Sequence, residues 1–148
     1  MPTDLQSVKR LDYMLVDANG HIDIIEIKRP HDKSILTQNV YRNNHIPEKE
    51  LSGTIMQIEK YIFFLNRWGI DGEKTLTKRY QQALPDGFKI KIINPGGIII
   101  MGREDRLTPE QKVDLEVVKR KYKNVIDIIT YDNLIHRLEA TLNRFKEV

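Results

Sequence analysis

Asp12, Glu26 and Lys28 are the residues whose types and spacing could do chemistry. Side chains alternate faces along a strand, so in a strand read over residues 22–28 the side chains of Ile22, Ile24, Glu26 and Lys28 share one face. In a strand read over 10–16, Asp12, Met14 and Val16 do the same. Both faces are apolar until a charged end. Between them Asp17-Ala18-Asn19-Gly20 reads as a hairpin turn, with Gly20 free to take the left-handed conformation. A three-residue loop at 18–20 sets Val16 opposite Ile22, Met14 opposite Ile24 and Asp12 opposite Glu26. A two-residue loop would instead set Asp12 opposite Ile27, because a one-residue slip exchanges the faces.

Two carboxylates directly opposite on a sheet repel unless a counter-charge lies between them. A hard divalent ion such as Mg²⁺ is one remedy, since it binds through one or two carboxylates, waters and a substrate phosphate. The grouping then suits phosphodiester hydrolysis, with the metal polarising the phosphoryl group and Lys28 orienting a water or stabilising developing negative charge. Glu-x-Lys at the solvated end of a strand also arises with no site behind it. Gln57 is a further candidate, off the helix stripe Leu51, Ile55, Ile58, Ile62 and Leu65, with Gly53 and Tyr61 one turn to either side. Its amide could hydrogen-bond the attacking water or a scissile phosphate, or simply face solvent. Lys28, Arg29, Lys33 and Arg42 form a basic cluster around these residues. Tyr41, Arg42, Asn43 and Asn44 could contact phosphate or bases, or satisfy backbone groups.

The elements that must position these groups follow from periodicity. Residues 31–47 are polar and without sustained period, a long loop or a short irregular excursion, and loops of this length are often functional. A helix follows over 48–68 and ends at Gly69, with a weaker helical pattern over 71–84. Phe88, Ile90 and Ile92 alternate with Lys89, Lys91 and Ile93 and predict a half-exposed strand. The apolar run 98–101 between glycines predicts a strand covered on both faces. Thr108, Pro109 and Gln111 supply an N-cap, a first-turn proline and a capping-box partner for a helix reaching Lys123. A strand over 125–130 completes a parallel β-α-β crossover, and the stripe Leu134, Ile135, Leu138, Leu142 and Phe145 predicts a closing helix over 132–146.

The 148 residues, 40% hydrophobic and 30% charged, have globular proportions and fit a single domain, so a multidomain enzyme is excluded for this stretch. No apolar run approaches the roughly 18 to 20 residues of a bilayer-spanning helix. Zero cysteines remove disulfides, thiolate zinc sites and cysteine nucleophiles, and a cytoplasmic setting suits such a chain. Twenty-four basic residues against 21 acidic ones leave a net charge of only +3. The run Lys119, Arg120, Lys121 and Lys123 reads as a solvated helix face.

Asp12 with Glu26-Ile27-Lys28 resembles the D…(D/E)-x-K signature of the PD-(D/E)xK nuclease superfamily. The longer stretches LDYMLVDANGHIDIIEIKRP, YRNN, ELSGTIMQIEKY, GGIIIMGR and IITYDNLIHRLE resemble the C-terminal nuclease domain of Shedu anti-phage defence proteins, and together they span nearly the whole chain. The resemblance implies a restriction-endonuclease-like α/β fold, a mixed β-sheet with an antiparallel hairpin and a parallel crossover, flanked by helices. It implies a metal site of Asp12, Glu26 and the backbone carbonyl of Ile27 for Mg²⁺ or Mn²⁺, with Lys28 as the water-positioning or general-base residue and Gln57 beside it. It further implies DNA cleavage or nicking in bacterial immunity by a homo-oligomer, from a domain excised from a longer protein. Arg29, Lys33, Tyr41 and Arg42 are the expected DNA contacts. The superfamily often carries another acidic residue on a helix before the first strand, whereas here only Asp4 precedes it. A non-cutting DNA-binding or oligomerisation module that keeps the fold is the alternative.

Overall fold

In the computed structural model, which describes residues 11–30 and 35–146, β1 (Tyr13–Val16) and β2 (Ile22–Ile27) form an antiparallel hairpin. Val16 pairs with Ile22 and Met14 with Ile24, the register of the three-residue loop. Asp17 holds the turn: its N–H donates to the His21 carbonyl at 2.9 Å, and its Oδ1 accepts the Asn19 and His21 N–H groups. Gly20 has φ +90°, and a Cβ there would lie 2.2 Å from the Lys89 carbonyl oxygen, so no other residue fits.

β3 (Gly97–Ile100) lies parallel to β2, and β4 (Ile126–Ile129) lies parallel to β3, giving the order β1-β2-β3-β4. The fold is therefore α/β with a mixed sheet, as the sequence implies. Three helices flank it among the described residues: α1 (Lys49–Tyr80), α2 (Pro109–Tyr122) and α3 (Tyr131–Lys146). Both halves of the capping box at Thr108 and Gln111 are formed. No helix among the described residues is long and apolar enough to cross a membrane.

One face of the sheet carries the core. Ile22, Ile24, Ile99, Ile126 and Ile128 are buried there with Leu51, Ile55, Ile58 and Leu65 of α1. Each such side chain contributes on the order of 1.5–3 kcal/mol by leaving water. Close approach of α1 requires Gly97, where a Cβ would sit 2.4 Å from Ile58. The other face is only partly covered: Tyr13, Leu15 and Ile27 are exposed, and Ile98 and Ile100 are half-buried, so the run 98–101 is not sealed on both faces.

Three further expectations are corrected. Gly69 (φ +50°, ψ −133°) leaves helical geometry but does not end the helix; the chain kinks there and resumes to Tyr80, which absorbs the weaker pattern over 71–84. Residues 88–93 make a single parallel bridge, His21 to Lys91, in place of a strand. Side chains of α1 intercept the donors a strand would need, with Thr77 Oγ1 accepting from the Ile90 N–H and Glu73 Oε1 from the Ile92 N–H. The apolar stripe of α3 does not close onto the core, since Ile135, Leu138, Leu142 and Phe145 are all exposed, Phe145 by 77%.

Candidate active site

The hairpin register brings Asp12, one residue beyond the Tyr13–Ile25 pair, level with Glu26. Asp12 is exposed, and its Oδ2 accepts the Ile27 N–H at 2.9 Å, tying the start of β1 to the end of β2. Glu26 is only 3% exposed, because it continues the buried face of Ile22 and Ile24. Its Oε1 accepts from Lys28 Nζ at 2.6 Å, while its buried Oε2 has no hydrogen-bond partner. Leaving a buried polar atom unpaired costs about 1–3 kcal/mol, more when it carries charge.

Lys28 lies two residues beyond Glu26 and reaches back to it. Burial alone would lower its pKa, but the Glu26 hydrogen bond, helped by the charges of Glu26, Asp12 and Glu50, holds it above its ordinary value. The backbone of Lys28 is fixed at both groups. Its N–H donates to the Ile100 carbonyl at 2.9 Å, and its carbonyl accepts from Tyr131 Oη at 2.7 Å. Tyr131 opens α3 just past β4, two strands from β2, and its own N–H donates to the Gly102 carbonyl at 3.0 Å. Sequence reasoning gave Tyr131 no role, because only the strand order brings it to Lys28.

The remaining candidates are distributed unevenly. Gln57 Nε2 donates to Tyr61 Oη at 2.7 Å, one helical turn on, and Tyr61 is buried. Arg29 is exposed after β2, and Lys33 lies outside the described residues, as do residues 1–10 with Asp4 among them. Tyr41 and Arg42 are exposed at a tight turn, with the Arg42 guanidinium 5.4 Å from the Tyr41 ring centroid. In the second basic run Arg120 is exposed and lies 4.0 Å from Glu116, whereas Lys119 is not on a solvated face: its side chain is only 14% exposed, paired to Glu116 at 2.8 Å and 3.9 Å from Glu104.

Among the described residues no three histidine, aspartate or glutamate side chains converge as a metal-holding group. The donors at this end of the sheet are two carboxylates, one exposed and one buried with an unpaired oxygen. That donor set is hard and anionic, and fits an ion that keeps several waters.

The strands thus define an α/β protein whose mixed sheet delivers two carboxylates and an ammonium group to one end. The chain belongs to the family described as Shedu protein SduA, C-terminal, whose model matches residues 2–135. It is similar to the Shedu protein SduA of Bacillus cereus (strain B4264), with 29% identity over 121 residues that cover 80% of this chain and 30% of that relative. The chain therefore spans less than a third of that relative's length.

Proposed function

We propose that this chain is a metal-dependent DNA endonuclease domain of a bacterial anti-phage defence protein, acting in the cytoplasm as part of a homo-oligomer. The observation that carries the reading is Glu26: a carboxylate buried in a sheet, with one oxygen on Lys28 and the other unpaired, beside an exposed Asp12. Such an arrangement costs stability, and costly polar burial is characteristic of sites kept for chemistry.

Asp12, Glu26 and the backbone carbonyl of Ile27 would hold Mg²⁺ or Mn²⁺, which when bound polarises a phosphoryl oxygen and makes a coordinated water more acidic. Lys28 remains an ammonium group beside Glu26. It can act there as a donor, orienting water or stabilising charge that develops on the phosphate. Tyr131 positions Lys28 through its backbone carbonyl. Gln57 contributes an amide to the water or the scissile phosphate, and Arg29, Lys33, Tyr41 and Arg42 contact the DNA. The exposed apolar stripe of α3 supports self-association.

Nicking of supercoiled plasmid tests the reading. The parent chain should relax plasmid in Mg²⁺ or Mn²⁺ and not in EDTA, and Glu26→Gln and Lys28→Ala should abolish relaxation. Variants that cut as well as the parent would refute it. One observation favours the non-cutting alternative: the Lys28 ammonium group lies 2.6 Å from Glu26 and itself supplies a counter-charge to the carboxylate. On that reading the chain would retain DNA in a strongly salt-dependent manner and never cut it.

A further inference from the structure

Residues 36–47, part of a stretch read as loop from its sequence pattern, form a hairpin. Leu36 bridges Pro47, and Tyr41 bridges Asn44 through reciprocal bonds of 2.8 and 3.0 Å. The two residues between, Arg42 (φ +49°) and Asn43 (φ +64°), both occupy the left-handed region that two-residue hairpin turns demand. Asn suits that region; Arg at the first position does not, where Asn, Asp or Gly is preferred. The surroundings nevertheless fix the turn. Asn44 Nδ2 donates to the Arg42 carbonyl, and lower down the His45 N–H donates to Asp114 of α2 at 2.7 Å. Gln111 Nε2, also in α2, donates to the Thr37 carbonyl.

The hairpin is mounted at the end of the sheet that carries Glu26 and Lys28. Its buried root, Ile35, packs against Gly102 just beyond β3, and the Ile35 carbonyl accepts the Glu48 N–H at the start of α1. Its tip is exposed, holds no carboxylate anywhere from Ile35 to Pro47, and presents an Arg already stacked on Tyr41. A conformation held against local preference at an exposed tip points to a role for the side chain kept there.

We infer that this hairpin is a base-reading finger for the major groove of duplex DNA, with Arg42 addressing guanine and Asn43 adenine; the inference rests on the nuclease reading for its substrate. The major groove admits a two-stranded β-ribbon, and Arg and Asn are the side chains that pair bidentately with guanine O6/N7 and adenine N6/N7. The finger would supply the sequence preference that the catalytic end lacks.

Fluorescence anisotropy of the 148-residue chain on a labelled mixed-sequence duplex in EDTA, where no cutting occurs, tests this. Arg42→Asn and Asn43→Gly place favoured residues in the turn, so both variants should melt no lower than the parent while binding the duplex about tenfold more weakly. A duplex of 7-deazapurines, lacking the N7 acceptors, should bind the parent as weakly as the ordinary duplex binds Arg42→Asn. If the parent fails to bind DNA, if the variants bind as the parent does, or if the 7-deaza duplex binds undiminished, the finger assignment is overturned. The last result would mean phosphate contact only, and undiminished binding by the variants would leave the tip to a protein partner. If these results hold while plasmid is never nicked, the groove assignment stands and the nuclease reading falls.

Discussion

Glu26 and Asp132 are both carboxylates near the C-terminal ends of the parallel strands, and they are treated in opposite ways. Both oxygens of Asp132 face the Arg103 Nε at 3.0 Å, and its Oδ2 also accepts the Glu104 N–H at 2.7 Å. The Arg103 hydrogen bond, against the opposing effect of burial and with help from the Glu104 N–H, holds Asp132 below the usual carboxylate range. Glu26 has one partner and one buried, unpaired oxygen. The contrast separates two uses of charge: Asp132 ties α3 to the loop after β3, whereas Glu26 is left incomplete at a cost, which suits a group that awaits a cation. A satisfied carboxylate should matter to stability, and an unsatisfied one to activity.

The largest effect that would sharpen this contrast is on cutting. Glu26→Gln should reduce plasmid nicking at least about 100-fold while leaving thermal stability equal to the parent or higher, as expected where function is maintained against stability. A large loss of stability would place Glu26 in the structural class with Asp132. Next in size, Lys28→Met leaves the buried carboxylate without its counter-ion and should cost about 2–3 kcal/mol in urea unfolding, less than the roughly 3–5 kcal/mol of a fully buried pair because Lys28 is 27% exposed. Adding Glu26→Gln should recover most of that loss, and failure to recover would show that the two groups do not act as a pair.

Asp132→Asn should cost about 1 kcal/mol of stability and leave nicking intact. The smallest effect is in pH. Asp132 is lowered in the folded state, so its contribution is present above its ordinary value of 3.8 and is lost as pH falls through the lower folded value. Lys28 is raised, so its contribution is present below 10.5 and lost as pH rises through the higher folded value. Difference curves of stability against pH, parent minus Asp132→Asn and parent minus Lys28→Met, should therefore decay at opposite ends of the scale. Decay at the same end would break the comparison.

Much of this arrangement could be read in advance, for identifiable reasons. The Asp12–Glu26 register was legible because strand alternation and turn length are local rules, and Gly20 marked the turn. The capped helix at Thr108 and the parallel crossover followed from equally local signals. Residues 88–93 misled because their alternation is real, with Ile90 and Ile92 buried, but their N–H groups are taken by helix side chains that no local pattern reveals. The hairpin at 36–47 was hidden because Arg-Asn is a poor turn sequence, overridden by contacts to α2 from about 70 residues away. Tyr131 was invisible for the same reason of distance, being 103 residues from Lys28.

The central claim is that the unpaired oxygen of Glu26 belongs to a cation site. The most direct measurement is thermal unfolding of the parent chain and of Glu26→Gln across a Mn²⁺ titration, since an ion that binds only the folded state raises the melting temperature with concentration. We expect a rise in the parent that Glu26→Gln abolishes. An equal rise in both, or none in the parent, would contradict the claim.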